Sequence, residues 1–134
     1  MKVKEYEVPE ELYYTKEHEW VKVISKDRVI VGITDYAVKM LKDIVYFSLP
    51  RINQEINFMD SLGTVESIKA VSEIYSPLTG KVIKVNERLL SEPELAYNSP
   101  YQEGWIVEME PKRLDDELKL LLKSEDYAKL LQNL

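Results

Sequence analysis

Lys69 is the residue whose setting most clearly permits chemistry. It is the single basic side chain in residues 52–80 and lies in Ser67-Ile-Lys-Ala70, between the strand-like runs Leu62–Glu66 and Val71–Ser76. A four-residue connection of this kind predicts a tight hairpin with Lys69 at its tip. An exposed amine there is accessible to a modifying enzyme. It is a poor Schiff-base nucleophile, because such a lysine needs burial to lower its pKa.

Other reactive side chains are scarce. The 134-residue chain has no cysteine and one histidine, His18. This composition excludes a disulfide framework, a cysteine zinc site and a thiol nucleophile. An independent enzyme would need a nucleophile and a base, and only carboxylates and lysines would remain for these roles. We therefore expect no catalytic residue, no metal site and no independent enzymatic activity.

The charge is acidic and unevenly distributed. Lys and Arg number 18 against 24 Asp and Glu, and residues 53–110 carry ten acidic but only four basic side chains. Nucleic acid is not an expected partner, because phosphate binding needs a basic face. The acidic segment is either a solvated surface or a docking face for basic partner proteins.

Short segments rich in β-branched and aromatic residues predict a sandwich or small barrel. The predicted strands are Glu19–Ile24, Arg28–Ile33, Ile44–Leu49, Leu62–Glu66, Val71–Ser76, Lys81–Val85 and Trp105–Glu110. In Ile44–Leu49, strict alternation would place Val45 and Phe47 on one face and Ile44 and Tyr46 on the other.

Two regions have helical patterns. Thr34 is the predicted N-cap of a short helix over Asp35–Leu41. Beyond Pro111, leucines at helical spacing predict C-terminal helices, with Ser124 as a cap between them. We expect one domain over residues 1–134, with its core at about 13–110 and the C-terminal helical segment at 111–134. No apolar run is long enough to span a membrane, and the N-terminus is typical of neither a secretory signal nor a transit peptide, so we expect a cytoplasmic protein.

The lysine segment resembles a known family. Val65-Glu-Ser-Ile-Lys-Ala-Val-Ser-Glu-Ile-Tyr-Ser-Pro-Leu-Thr-Gly-Lys-Val-Ile-Lys-Val-Asn86 is similar to the lipoylation segment of the glycine cleavage system H protein. Further similar segments are Tyr14–Lys22, Val31–Ala37, Asp43–Pro50 and Ser99–Val107, so that the resemblance covers about residues 13–132 in the family's order. It implies a mainly β barrel-sandwich hybrid fold, like that of lipoyl and biotinyl carriers, with short helices.

The chain departs from the family pattern at three places. Lys42 stands where the family usually has glycine, which predicts a differently built helix exit. Met59-Asp60 replaces the usual Gly-Asp turn. Met40 occupies a position where some members have a polar residue facing the arm.

The resemblance implies a carrier function. Lys69 would carry lipoate as N6-lipoyl-lysine, with Glu66, Ser67, Ile68 and Ala70 forming the hairpin recognised by a lipoate ligase or lipoyltransferase. The arm would accept an aminomethyl group of glycine from the PLP-dependent glycine decarboxylase (P protein) and deliver it to the tetrahydrofolate-dependent aminomethyltransferase (T protein). Dihydrolipoyl dehydrogenase (L protein) would reoxidise the dithiol. The carrier is expected to act as a monomer.

A cleft for the loaded arm is also implied, because the loaded group can be hydrolysed by water. The resemblance indicates Glu19 as an acceptor for the protonated amine, although an ordinary strand carboxylate is an equally good interpretation. We interpret His18 as a hydrogen-bonded surface histidine. Gly63, Gly80 and Gly104 are predicted to serve turns or close backbone approaches, since no glycine-rich loop leads into a helix.

Related functions remain open at this point. Lipoyl domains of 2-oxoacid dehydrogenases typically have an acidic residue directly before the lysine, where this chain has Ile68. Biotin carriers typically flank the lysine with methionines, where this chain has Ala70. An H-like protein that donates lipoyl groups to other enzymes would use the same hairpin, and so could an unlipoylated binding module of this fold.

Overall fold

A computed structural model describes all residues, 1–134. Its eleven strands are β1 (Lys2–Val3), β2 (Tyr6–Glu7), β3 (Tyr13–Tyr14), β4 (Glu19–Ser25), β5 (Arg28–Ile33), β6 (Ile44–Ser48), β7 (Glu55–Ile56), β8 (Ser61–Ser67), β9 (Val71–Tyr75), β10 (Gly80–Val85) and β11 (Val107–Pro111). Its helices are α1 (Asp35–Leu41), α2 (Arg88–Ser91), α3 (Glu94–Asn98), α4 (Leu114–Leu118) and α5 (Ser124–Gln132). None of these helices has the length and apolar character needed to cross a membrane.

The strands form two principal sheets and a small N-terminal hairpin. One sheet has the order β3-β4-β5-β11-β10-β7, the second has the order β6-β8-β9, and β1 pairs with β2. One core cluster takes buried side chains from both principal sheets, including Val31 of β5 and Val65 of β8. The sheets therefore pack as a sandwich without closing into a barrel, and the predicted fold class is confirmed: mainly β with short helices.

A second core cluster joins the two ends of the chain. Val3, Val8 and Leu12 pack with Tyr127 and other residues of α5, and with Tyr14 and Trp20 of the main sheet. Leucines of the C-terminal segment thus contact the chain's own core, as their helical spacing indicated. The N-terminal hairpin was not predicted, because two-residue strands are too short to show a periodic pattern.

Helix α1 begins and ends where the sequence predicted. Thr34 has extended backbone angles and its hydroxyl accepts the N–H of Ala37, as an N-cap requires. The prediction of Ser124 as a cap was wrong. Ser124 is the first residue of α5, Lys123 is at the cap position, and no side chain caps that end.

The predicted alternation in β6 was also wrong. The register between β6 and β8 shifts between Ile44 and Tyr46, which leaves Val45 in a bulge. Ile44 and Phe47 are therefore buried, whereas Val45 and Tyr46 are exposed. An extra residue in one strand reverses the faces of the residues that follow it, and no local pattern in these five residues marks the bulge.

Gly63 allows β8 to approach β6 closely. Its φ is +145°, and a Cβ built there would lie 2.1 Å from the carbonyl oxygen of Ser48. A Cβ at Gly80 would similarly lie 2.4 Å from the carbonyl oxygen of Glu110. These glycines serve close backbone approaches, in agreement with the sequence interpretation.

The exit of α1 retains a glycine-type backbone although it holds a lysine. Lys42 has φ 59° and ψ −126°, and its N–H donates to the carbonyl of Val38. The prediction that the exit is built differently was therefore wrong. The following residue, Asp43, uses its carbonyl to accept the N–H of Ile68 at 3.1 Å, so the strained turn holds the tip of the β8–β9 hairpin.

We expect Lys42→Gly to raise the free energy of unfolding by about 1 kcal/mol, because glycine adopts this backbone conformation without a Cβ penalty. Urea denaturation would measure the change. Lys42→Ala is the matched control, since it shortens the side chain but keeps the Cβ, and it should give no gain. A glycine variant no more stable than the alanine variant would contradict the strain argument.

Candidate functional site

Lys69 lies at the tip of the hairpin formed by β8 and β9, as predicted. Its side chain is exposed and has no ion pair or hydrogen bond with any other residue. The turn is held by the N–H of Ser67, which donates to the carbonyl of Ala70 at 2.8 Å. The hairpin is therefore fixed in its backbone while its amine is free.

The other hairpin residues divide into turn-forming and exposed groups. The hydroxyl of Ser67, which is buried, accepts the N–H of Ala70 at 3.1 Å. Ile68 is 72% exposed and Glu66 is exposed on the outer face of the sheet. Ser67 and Ala70 thus shape the turn, whereas Ile68 and Glu66 are accessible to another protein.

A small cavity lies beside the tip. It has a volume of about 190 Å³ and is bounded by the end of α1 and by the turn that carries Lys69. Met40 and Leu41 line this cavity and also line a second, larger one of about 340 Å³. The last turn of α1 therefore borders both the lysine tip and the larger cavity, which we call the arm cleft.

The arm cleft lies between α1, the start of β4 and strand β9. It is lined by Glu17, His18, Glu19, Ile33, Tyr36, Ala37, Met40, Leu41, Val65, Ser72, Glu73 and Ile74. Glu19, His18 and Met40 were singled out from the sequence. Glu17, Tyr36, Ser72 and Glu73 were missed as cleft residues, because only long-range packing brings β9 opposite β4 and α1.

Glu19 is the deepest carboxylate of the cleft and is only 1% exposed. Its Oε1 accepts the Thr15 hydroxyl at 2.5 Å, and its Oε2 accepts the N–H of Tyr75 at 3.2 Å. A carboxylate has about four acceptor positions, so these two donors leave part of its capacity unused. Burial raises the pKa of Glu19 to about 7, and the two hydrogen bonds only partly oppose this effect.

His18 contacts the C-terminal helix as well as the cleft. Its Nδ1 lies 2.8 Å from the hydroxyl of Tyr127, and its ring packs on Tyr36. His18 is partly buried rather than at the open surface, although the predicted hydrogen bonding is present. Burial lowers its pKa, and the nearby Glu17 carboxylate opposes this. The neutral imidazole is the favoured form.

Comparison with known proteins agrees with this geometry. The family model described as glycine cleavage H-protein matches residues 12–134. The chain belongs to the glycine cleavage H-protein family. It is 52% identical over 134 residues to a probable glycine cleavage system H protein of Thermococcus gammatolerans, covering 100% of this chain and 99% of that protein. It is 47% identical over 125 residues to the glycine cleavage system H protein of Carboxydothermus hydrogenoformans, covering 93% and 95%.

A solved structure shares the fold. The crystal structure of a glycine cleavage system H protein from Mycobacterium marinum has a TM-score of 0.82 and 31% sequence identity, covering 94% of this chain and 98% of that one. Membership of the family confirms the carrier role in the glycine cleavage system that was predicted from the sequence.

The raised pKa of Glu19 predicts a pH-dependent stability. Between pH 4.5, where an unfolded glutamate ionises, and about 7, the folded chain binds the extra proton, so stability falls as pH rises. The glutamine side chain in Glu19→Gln does not titrate, so this variant lacks that loss of stability. As pH rises across this window, we expect the free energy of unfolding of the variant to increase relative to that of the parent chain by up to about 3 kcal/mol, measured by urea denaturation at each pH. A pH-independent difference would contradict the assignment.

Proposed function

We propose that Lys69 is the attachment site of lipoate, carried as N6-lipoyl-lysine. The observation that supports this most directly is the free, exposed amine of Lys69 at the tip of a rigid hairpin, within the segment that resembles the family's lipoylation motif. An amide bond to this amine would place the cofactor in solvent, within reach of partner active sites. The lipoyl group would supply the disulfide that receives the aminomethyl group of glycine.

The hairpin would be read by the lipoate ligase or lipoyltransferase. Glu66 and Ile68 offer the exposed contacts, and Ser67 with Ala70 keeps the turn in one conformation. A rigid substrate loop costs less ordering entropy on binding than a flexible one. The role of these four residues is recognition and presentation, with no catalytic function of their own.

The arm cleft would hold the protonated amine of the cargo. Three carboxylates line it, those of Glu17, Glu19 and Glu73, and the lining has no lysine or arginine. Apolar side chains from α1 and the sheet core form its other walls, which limits access of water. An ammonium group would satisfy the unused acceptor capacity of Glu19 and would favour its ionised form.

The partners follow from the carrier role. We infer that the chain visits the P, T and L proteins of the glycine cleavage system and catalyses no step unaided. We also infer that residues 1–134 act as one monomeric domain in the cytoplasm. The contacts between α5 and the N-terminal residues Val3 and Val8 support a single domain, because they tie both chain ends to the main sheet.

Intact mass is the direct test of attachment. Protein from cells able to make lipoate should show one lipoyl increment, and Lys69→Arg should lose it completely. Lys84→Arg, an exposed lysine on β10, is the matched control and should keep the increment. An unmodified parent chain would favour the bare binding module, and a modified Lys69→Arg variant would place the cofactor elsewhere.

The role of Glu19 can be tested by the lifetime of the cargo. We expect Glu19→Gln to increase the rate of cargo hydrolysis about 10-fold, because a charged hydrogen bond contributes about 1.5–3 kcal/mol. The measurement is release of formaldehyde from the loaded protein in the absence of partners. Glu110→Gln, which removes a carboxylate outside the cleft, is the control, and equal rates in the two variants would refute the role.

A further inference from the structure

A chain of three hydrogen-bonding side chains runs from α1 through α5 to the arm cleft. Thr34 is fully buried, and its hydroxyl lies 2.8 Å from the hydroxyl of Tyr127. The Tyr127 hydroxyl lies 2.8 Å from Nδ1 of His18. Tyr127 belongs to the C-terminal helix and does not line the cleft itself.

The direction of the protons along this chain follows from Thr34. Its oxygen accepts the N–H of Ala37, and its own proton has no acceptor within hydrogen-bonding distance other than the oxygen of Tyr127. The Thr34 hydroxyl therefore donates to Tyr127, and Tyr127 donates to Nδ1 of His18. Burial holds the pKa of Tyr127 far above its usual value, so the phenol keeps the proton that it donates.

These directions determine the tautomer of His18. Because Nδ1 accepts a hydrogen bond, the proton of the neutral ring is on Nε2. No buried side-chain nitrogen or oxygen lacks a partner in the protein, and Nε2 has no protein partner, so it is open to solvent. His18 lines the arm cleft, and an Nε2–H group would act there as a hydrogen-bond donor.

The protonation state of His18 also controls the charge of the cleft. It is the only lining residue that could become a cation near neutral pH, and it lies beside Glu17 and Glu19, with Glu73 and Tyr36 on the facing elements. An imidazolium would compete with a protonated amine for these carboxylates. It would also reverse the hydrogen bond to Tyr127, and one of the two buried hydroxyl protons, that of Tyr127 or that of Thr34, would then lack an acceptor.

We propose that Tyr127 is a positioning residue that holds His18 as the neutral Nε2–H tautomer, so that the arm cleft offers three carboxylates to a protonated amine without a competing cation. The role in binding the cargo rests on the proposed function, but the tautomer of His18 can be tested without the cofactor. Burial of His18 lowers its pKa and therefore also favours the neutral imidazole ring.

The single histidine makes the first test unambiguous. Long-range ¹H–¹⁵N correlation spectra of the unmodified full chain at pH 7.5 should show a protonated Nε2 and an unprotonated Nδ1. A protonated Nδ1 would overturn the proposal. This outcome is separate from lipoylation of Lys69, which the intact mass tests alone.

Two tyrosine variants test the part played by the hydroxyl. In Tyr127→Phe we expect a mixture of tautomers and a His18 pKa higher by about 1 unit, the size of one lost hydrogen bond. Tyr14→Phe is the matched control, because the Tyr14 ring stacks on Tyr127 while its hydroxyl donates to Pro9. It should leave the tautomer and pKa of His18 unchanged, and equal shifts in both variants would overturn the proposal.

The consequence for the carrier is measured on loaded protein. The pH dependence of cargo hydrolysis should differ between the parent chain and Tyr127→Phe. As the pH is lowered, the hydrolysis rate of the variant should begin to rise at a higher pH, because its His18 becomes a cation at a higher pH. Titration of Glu19 is common to both proteins, so the difference between the two profiles reports His18. Superimposable profiles would refute a role in holding the cargo.

Discussion

The carboxylate of Glu19 is the interaction on which the arrangement of the site depends. It lies on β4 of the six-stranded sheet and accepts the N–H of Tyr75 on β9, the edge strand of the three-stranded sheet. One buried side chain therefore links the main sheet directly to the hairpin that carries Lys69. A buried charge of this kind costs free energy unless it is compensated, which is reflected in its raised pKa. The ionised carboxylate of Glu19 therefore carries an unfavourable desolvation energy, which a cation bound beside it would offset.

The parts of the site that could be predicted from sequence are those set by local interactions. The hairpin around Lys69 and the helix capped by Thr34 follow from turn residues, strand runs and a capping side chain within a few positions. The fold class follows from the number and spacing of short strands. Family resemblance added Glu19 and Met40 to the cleft, which spacing alone did not place there.

The missed parts depend on contacts between distant segments. Tyr127 lies 109 positions from His18, and nothing in its own helix indicates that its hydroxyl has a role near a cleft. The bulge at Val45 and the N-terminal hairpin are likewise set by the strands and helices against which they pack. Sequence patterns report which face of an element is apolar, but they do not report which element will cover it.

Neither of the two acidic residues on the hairpin strands forms an ion pair with Lys69. Glu73 is one of the two acidic residues on the hairpin strands, and its Oε2 accepts the hydroxyl of Ser61 at 2.6 Å, on the neighbouring strand. Glu66 lies on the outer face between Tyr46 and Val71 and makes no ion pair. The hairpin strands therefore carry two acidic side chains, while the amine of Lys69 at the tip remains unpaired. An ion pair at the tip would have to be broken before any ligase could reach the nitrogen, so its absence favours modification of this lysine.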